Sequence, residues 1–149
     1  MPQAVFHSPF GLFSVVEENG LITRLDWASR RSDPTALLRE ACRQLDEYFA
    51  GERTVFDLPL DFGTGFQEQM RRAMFAIPFG QTRTYGELAK TLGRPAQAIG
   101  QACGANPIPI FIPCHRVLAA SGLGGFSAPG GVETKIALLK LEGAGGFLL

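Results

Sequence analysis

Pro113-Cys114-His115-Arg116 sets a thiol beside an imidazole and a guanidinium, at the end of the apolar run Ile108-Pro109-Ile110-Phe111-Ile112. Chemistry at a cysteine needs the thiolate. Nearby cations lower the thiol pKa from about 8.5 toward neutrality, and apolar burial raises it. Prolines 107, 109 and 113 remove backbone donors and bias the residues before them toward extended geometry. The expectation is a stiff, extended, buried segment that holds Cys114 in one orientation. Cys42 and Cys103 lie inside apolar helical patterns and read as packed core cysteines.

A partner for this thiol can be sought further along the chain. Glu142 falls at the end of an apolar helical stretch (Ile136, Leu138, Leu139, Leu141) and before Gly143. A carboxylate near a helix C-terminus is unfavourable and wants a cation. His115 or Arg116 could be that cation; solvent exposure is the bland alternative. A Cys-His-Glu set has a clear logic, in which the carboxylate orients the imidazole and the imidazole takes the thiol proton. Neighbours on an extended segment point to opposite faces, so His115 would need a bend or a bridging water to serve Cys114.

The elements that must position these groups read as an α+β protein. Residues 4–7, 11–17 and 21–27 have strand character, with a hairpin signal at Glu18-Asn19-Gly20. Asp33 and Pro34 would open a helix that runs to about Ala50 and stops at Gly51. Residues 1–60 thus form a small N-terminal α/β lobe with a short antiparallel sheet, and 61–149 a mostly helical C-terminal domain. There, Thr64 precedes a helix with the apolar face Phe66, Met70, Ala73, Met74 and Ile77. Thr84 and Glu87 form a capping box for a helix from Tyr85 to about Leu92, and Gly93-Arg94-Pro95 turns into a helix to about Ala105. The pair fits a helix-turn-helix, winged or plain, and equally a helical hairpin with small residues for tight packing. The second helix is rich in small residues and offers only Gln97 and Gln101 to base edges. That composition favours contact with shape or backbone over sequence readout.

The composition is that of an ordinary globular protein. No apolar stretch nears the ~20 residues of a membrane span, so no membrane association is expected. No leader pattern is read and three unpatterned cysteines make no disulfide framework, which fits a reducing cytoplasm. Only His7 and His115 are present, without metal-ligand spacing, so neither metal nor cofactor is expected. The net charge is zero, yet residues 1–60 carry six Lys/Arg against nine Asp/Glu, and 61–149 eight against five. This asymmetry is a weak pointer to an anionic partner of the second half.

Asn106-Pro107-Ile108-Pro109-Ile110-Phe111-Ile112-Pro113-Cys114-His115-Arg116-Val117 resembles the active-site signature of the methylated-DNA–protein-cysteine methyltransferases. The likeness extends over nearly the whole chain, through Ile77-Pro78-Phe79-Gly80-Gln81-Thr82-Arg83-Thr84-Tyr85, Gly125-Phe126-Ser127 and Leu141-Glu142-Gly143. It implies a protein, monomeric and cytoplasmic, that binds duplex DNA through the minor groove and flips out an O6-alkylated guanine. The alkyl group would pass irreversibly to Cys114; O4-methylthymine is a further substrate to consider. His115 would act through water, Glu142 would complete the relay, Asn106 would brace the turn, and Tyr85 would push the phosphate and protonate the leaving base. Ser127, Phe126, Pro109 and backbone near Cys114 and Val117 would meet the base. Gln97, Ala98, Gly100, Gln101, Ala105, Arg94 and Arg116 would meet DNA.

The sequence departs from the family pattern in places. Gln97 stands where most members have an arginine that fills the gap left by the flipped base, and Arg94 could substitute from the turn. Phe126 replaces a common tyrosine, the Ala128–Gly131 loop is longer than in some members, and no zinc residues occur in the N-terminal lobe. Rival readings are an alkyltransferase-like lesion binder, which would lack the cysteine, a cysteine hydrolase and a helix-turn-helix regulator.

Overall fold

The computed structural model describes residues 1–27, 32–120, 122–124 and 130–144. They divide into two compact units, Met1–Asp61 and Phe62–Leu149.

In the first unit, β1 (Gln3–Ser8), β2 (Gly11–Glu18) and β3 (Leu21–Trp27) form an antiparallel meander. Asn19-Gly20, both at positive φ, make the tight turn between β2 and β3. Helix α1 (Ala36–Phe49) packs on β1 and β2 and buries Leu38, Ala41, Leu45 and Tyr48, while Phe13, Val15, Ile22 and Leu25 are the buried side chains of the sheet. Its cap differs from the sequence expectation. Thr35, not Asp33, is the N-cap and accepts from the Leu38 amide. The Asp33 carboxylate instead accepts from the Gln3 amide, and so ties the approach to α1 onto the sheet.

The second unit holds α2 (Gly65–Phe75), β4 (Arg83–Thr84), α3 (Tyr85–Leu92), α4 (Ala96–Gly104), β5 (Val117–Leu118) and α5 (Gly131–Leu141). Thr64 precedes α2 as its N-cap residue but makes no side-chain capping bond. Thr84 and Glu87 form the capping box of α3 in both directions, at 3.1 and 2.9 Å. Gly93, at φ 66°, ends α3 in the left-handed region that a side chain would strain, and α4 follows after Pro95. α3 and α4 pack together as a helix-turn-helix, and β4 pairs in parallel with β5, next to the Cys114–Arg116 turn. No described helix is long and apolar enough to cross a membrane.

Candidate active site

The segment before Cys114 is a chain of tight turns, not the extended strand its prolines suggest. Phe111 N donates to Pro109 O at 2.9 Å around Ile110, which sits at φ 73°. Ile112 N closes on Ile108 O at 3.0 Å, and Cys114 N on Ile112 O at 2.7 Å around Pro113. Three prolines cannot donate to a strand ladder, so the remaining amides are satisfied locally. A positive φ at a β-branched residue costs of order 1–3 kcal/mol and persists only where the surroundings over-determine it. Asn106 provides part of that constraint: its Nδ2 donates to Ile112 O at 3.0 Å and its Oδ1 accepts from Ile108 N at 3.1 Å. Ile108, Ile110, Phe111 and Ile112 are all buried.

Cys114, His115 and Arg116 form one turn of 3-10 helix, leading directly into β5. This is the bend that an extended geometry would have lacked. His115 is fully buried, and its Nε2 lies 2.7 Å from Glu142 Oε2. Glu142 caps the C-terminus of α5, so the carboxylate read as needing a cation receives two partners. Arg116 donates from Nε to Oε1 at 2.8 Å and from Nη2 to Oε2 at 3.0 Å, while Nη1 binds the Ile77 carbonyl at 2.6 Å. Arg116 was expected on the DNA side. It is turned inward, because a buried carboxylate must be paired.

These contacts set the protonation states. Burial alone would raise the Glu142 carboxyl, but hydrogen bonds from His115 and Arg116 outweigh it and hold the pKa down at about 2. Burial pushes the His115 pKa down against the pull of Glu142, which keeps the imidazole neutral. With an ionised acceptor at Nε2, the ring proton belongs on that nitrogen. Nδ1 then carries a lone pair, and it is buried with no hydrogen-bond partner among the described residues. The Cys114 thiol is pushed up to about 12, by burial first and by the neighbouring Cys103 second. Asn106 and Lys135 pull the other way.

Lys135 was missed by sequence reading. It is completely buried on α5, and its Nζ donates to the Val117 carbonyl at 2.7 Å. Burial lowers its pKa, while the thiols of Cys103 and Cys114 raise it. A lysine on a helix is usually solvated. The signal was present in the spacing: positions 135, 138, 139 and 142 make one helical stripe, and all four are buried. Leu141, placed on the apolar side by type alone, is 37% exposed.

Tyr85, at the start of α3, lies between two glycines. A Cβ at Gly100 on α4 would sit 3.7 Å from its ring, and one at Gly124 only 2.8 Å from its hydroxyl. On α4, Gln97 and Gln101 are exposed, Ala98 and Gly100 are half-buried, and Ala105 just beyond is exposed. The Arg94 guanidinium is exposed and stacks 4.8 Å above the Phe66 ring. Pro109 and Val117 are buried. Phe126, Ser127 and the Ala128-Pro129 part of the longer loop lie outside the described residues. Among the described residues no group of three or more His, Cys, Asp or Glu could hold a metal ion.

Fold and site together define a two-unit α+β protein whose helix-turn-helix runs into a buried cysteine, followed by a His–Glu pair. Residues 1–62 match the family model of the 6-O-methylguanine DNA methyltransferase ribonuclease-like domain, and residues 65–144 that of the DNA binding domain. The chain is 42% identical over 147 residues to the methylated-DNA–protein-cysteine methyltransferase of Mycobacterium bovis, covering 91% of this chain and 88% of that one. It is 41% identical over 151 residues to the constitutive methylated-DNA–protein-cysteine methyltransferase of Bacillus subtilis, covering 91% of each. The crystal structure of Mycobacterium tuberculosis OGT in complex with DNA superposes with a TM-score of 0.85 at 43% identity, covering 96% of this chain and 93% of that one. The chain belongs to the methylated-DNA–protein-cysteine methyltransferase family.

Proposed function

We propose that this protein repairs duplex DNA by transferring the alkyl group of O6-alkylguanine to Cys114 in a single, irreversible event. The observation that carries this reading is the buried Cys114 followed by His115, with Glu142 on Nε2 and a bare Nδ1. A methyl group inside the base stack is out of reach of a buried sulfur, so the nucleotide must be flipped out, at a cost of a few kcal/mol. The exposed side of α4, with its small residues, suits close approach to the minor groove, and Gln97 is the residue set to fill the vacated place. Tyr85 stands at the entrance of the helix pair as the group that pushes the phosphate.

The chemistry then follows from the protonation states. Cys114 rests as a thiol, since burial holds its pKa near 12. Neutral His115 takes that proton at Nδ1 through a water, and Glu142 stabilises the imidazolium. The buried Lys135 ammonium lowers the cost of the thiolate. Sγ attacks the alkyl carbon, the carbon–oxygen bond breaks, and the guanine leaves with a proton from Tyr85. The new thioether has no leaving group, so the acceptor is spent. Ser127, Phe126 and the backbone around Cys114 and Val117 are assigned to base recognition, and Asn106 to bracing the loop. O4-methylthymine carries the same alkyl–oxygen bond and is a second candidate substrate. The protein is read as a cytoplasmic monomer.

The test is mass spectrometry after incubation with methylated duplex DNA. One methyl on Cys114 per chain, with no further turnover, is the expected result. DNA binding without methyl gain would leave a lesion binder, and multiple turnovers a hydrolase.

A further inference from the structure

Beside the acceptor lies a second thiol that methyl transfer does not use. Cys103 occupies the last turn of α4, buried, with Sγ 3.7 Å from the carbonyl oxygen of Cys114. Neither sulfur is in a disulfide. The Lys135 ammonium acts on both thiols and favours the thiolate of each. Cys42, the remaining cysteine, is half-buried on α1 of the other unit.

An isolated reactive cysteine meeting a hydroperoxide passes from sulfenic to sulfinic and sulfonic acid, and the later steps are irreversible. A neighbouring thiol changes that outcome. We propose that Cys103 and Cys114 form a dithiol modification site that hydroperoxides close into a reversible disulfide, with Cys103 as the resolving thiol. The step balances. The Cys114 thiolate attacks one peroxide oxygen and the oxygen–oxygen bond breaks; Cys114 becomes a sulfenic acid, and the other oxygen takes up the proton given up by the thiol and leaves as water, or as an alcohol from an organic hydroperoxide. The Cys103 sulfur then attacks the Cys114 sulfur, the sulfur–oxygen bond breaks, and a water leaves. Two thiols lose two electrons and two protons, and the peroxide is reduced. A small dithiol reverses the bond by exchange. The site rests on the reading of Cys114 as the alkyl acceptor in one respect: the disulfide and the alkyl group compete for the same sulfur.

Both cysteines fall on one tryptic peptide, Thr91–Arg116, because trypsin does not cleave between Arg94 and Pro95. The full-length protein is treated with hydrogen peroxide and digested without reductant. The expected result is that this peptide loses the mass of two hydrogens, regains them with dithiothreitol, and that methyl acceptance is lost and restored in parallel. Cys103→Ala and Cys103→Ser are expected to accept methyl groups as the parent does before oxidation. After peroxide they retain added oxygens on Cys114, and dithiothreitol does not restore them. Oxygen addition to Cys114 in the parent without loss of two hydrogens overturns the proposal, as does full recovery of the Cys103 variants. The disulfide is read by mass without any DNA. If it forms in a protein that accepts no methyl group, the functional reading fails and the dithiol site stands.

Discussion

Lys135 Nζ donates to the Val117 carbonyl at 2.7 Å from a position with no solvent exposure. An ammonium so placed has lost its hydration, and burial penalises its charged form. Its cost is offset if the charge acts on something else, and the two thiols on which it acts are the candidates.

Replacing Lys135 with methionine keeps most of the volume and removes the charge. Methyl transfer to Cys114 is expected to slow about tenfold at pH 7, the equivalent of one pKa unit of lost thiolate stabilisation. The alkaline rise of the rate should move to higher pH, while urea denaturation changes little. An unchanged rate and pH profile would show that Lys135 serves only the Val117 carbonyl.

Acid should destabilise the second unit through Glu142 and His115 together. Glu142 titrates at about 2 in the folded protein against 4.5 when free. Its contribution is therefore complete above pH 4.5 and is lost as pH falls through 2. This amounts to about 3 kcal/mol. His115 has a pKa depressed below 6.5 by burial, so its protonation favours the unfolded chain and stability starts to fall below that pH. Glu142→Gln leaves Arg116 buried beside a neutral partner and is expected to cost 3–5 kcal/mol, order-of-magnitude. It should also flatten the acid dependence below pH 4.5 in urea titrations. A variant as stable as the parent at pH 7 would contradict the pairing.

Asn106→Ala removes both side-chain bonds that hold the acceptor loop. The buried Ile108 amide loses its acceptor, at about 1–3 kcal/mol, while the Ile112 carbonyl loses one of two donors and keeps the Cys114 amide. The expected outcome is a lower thermal midpoint together with slower methyl acceptance. Asn106→Asp restores only the bond to the Ile108 amide and should recover part of the stability. Equal loss in both variants would argue that the loop is held by something other than these two bonds.

Gln97→Arg restores a guanidinium at the exposed start of α4, with a charge and stacking plane that glutamine lacks. Repair of methylated duplex DNA should speed up more than reaction with free O6-alkylguanine, because only the duplex needs its base extruded. Equal effects on the two substrates would rule out a role in flipping.

Much of the site was legible because the chemistry is local in sequence. Cys114 and His115 are neighbours, and Glu142 stood out as a carboxylate at the wrong end of a helix. The α3 cap was readable from Thr84 and Glu87 alone, since a capping box spans four residues. The acceptor loop was misread because proline propensities favour extension, whereas the path is set by where the amides of Phe111, Ile112 and Cys114 find acceptors. Asp33 was misread as a cap because its competing partner, the Gln3 amide, is thirty residues away. Arg116 was placed on the DNA side by the family resemblance. Its inward turn depends on a carboxylate 26 positions later.

The positive φ of Ile110 bears on the proposed single use of this protein. A catalyst that turns over must loosen its grip on a product, and the loops that do so come from the least stable parts of a fold. The loop before Cys114 is the opposite: locally strained, fully buried and pinned by Asn106. On the single-use reading, no group around the sulfur ever has to let go. The alkyl group enters a site with no slack, and the spent chain is expected to unfold more readily than the fresh one as the loop is forced apart from within.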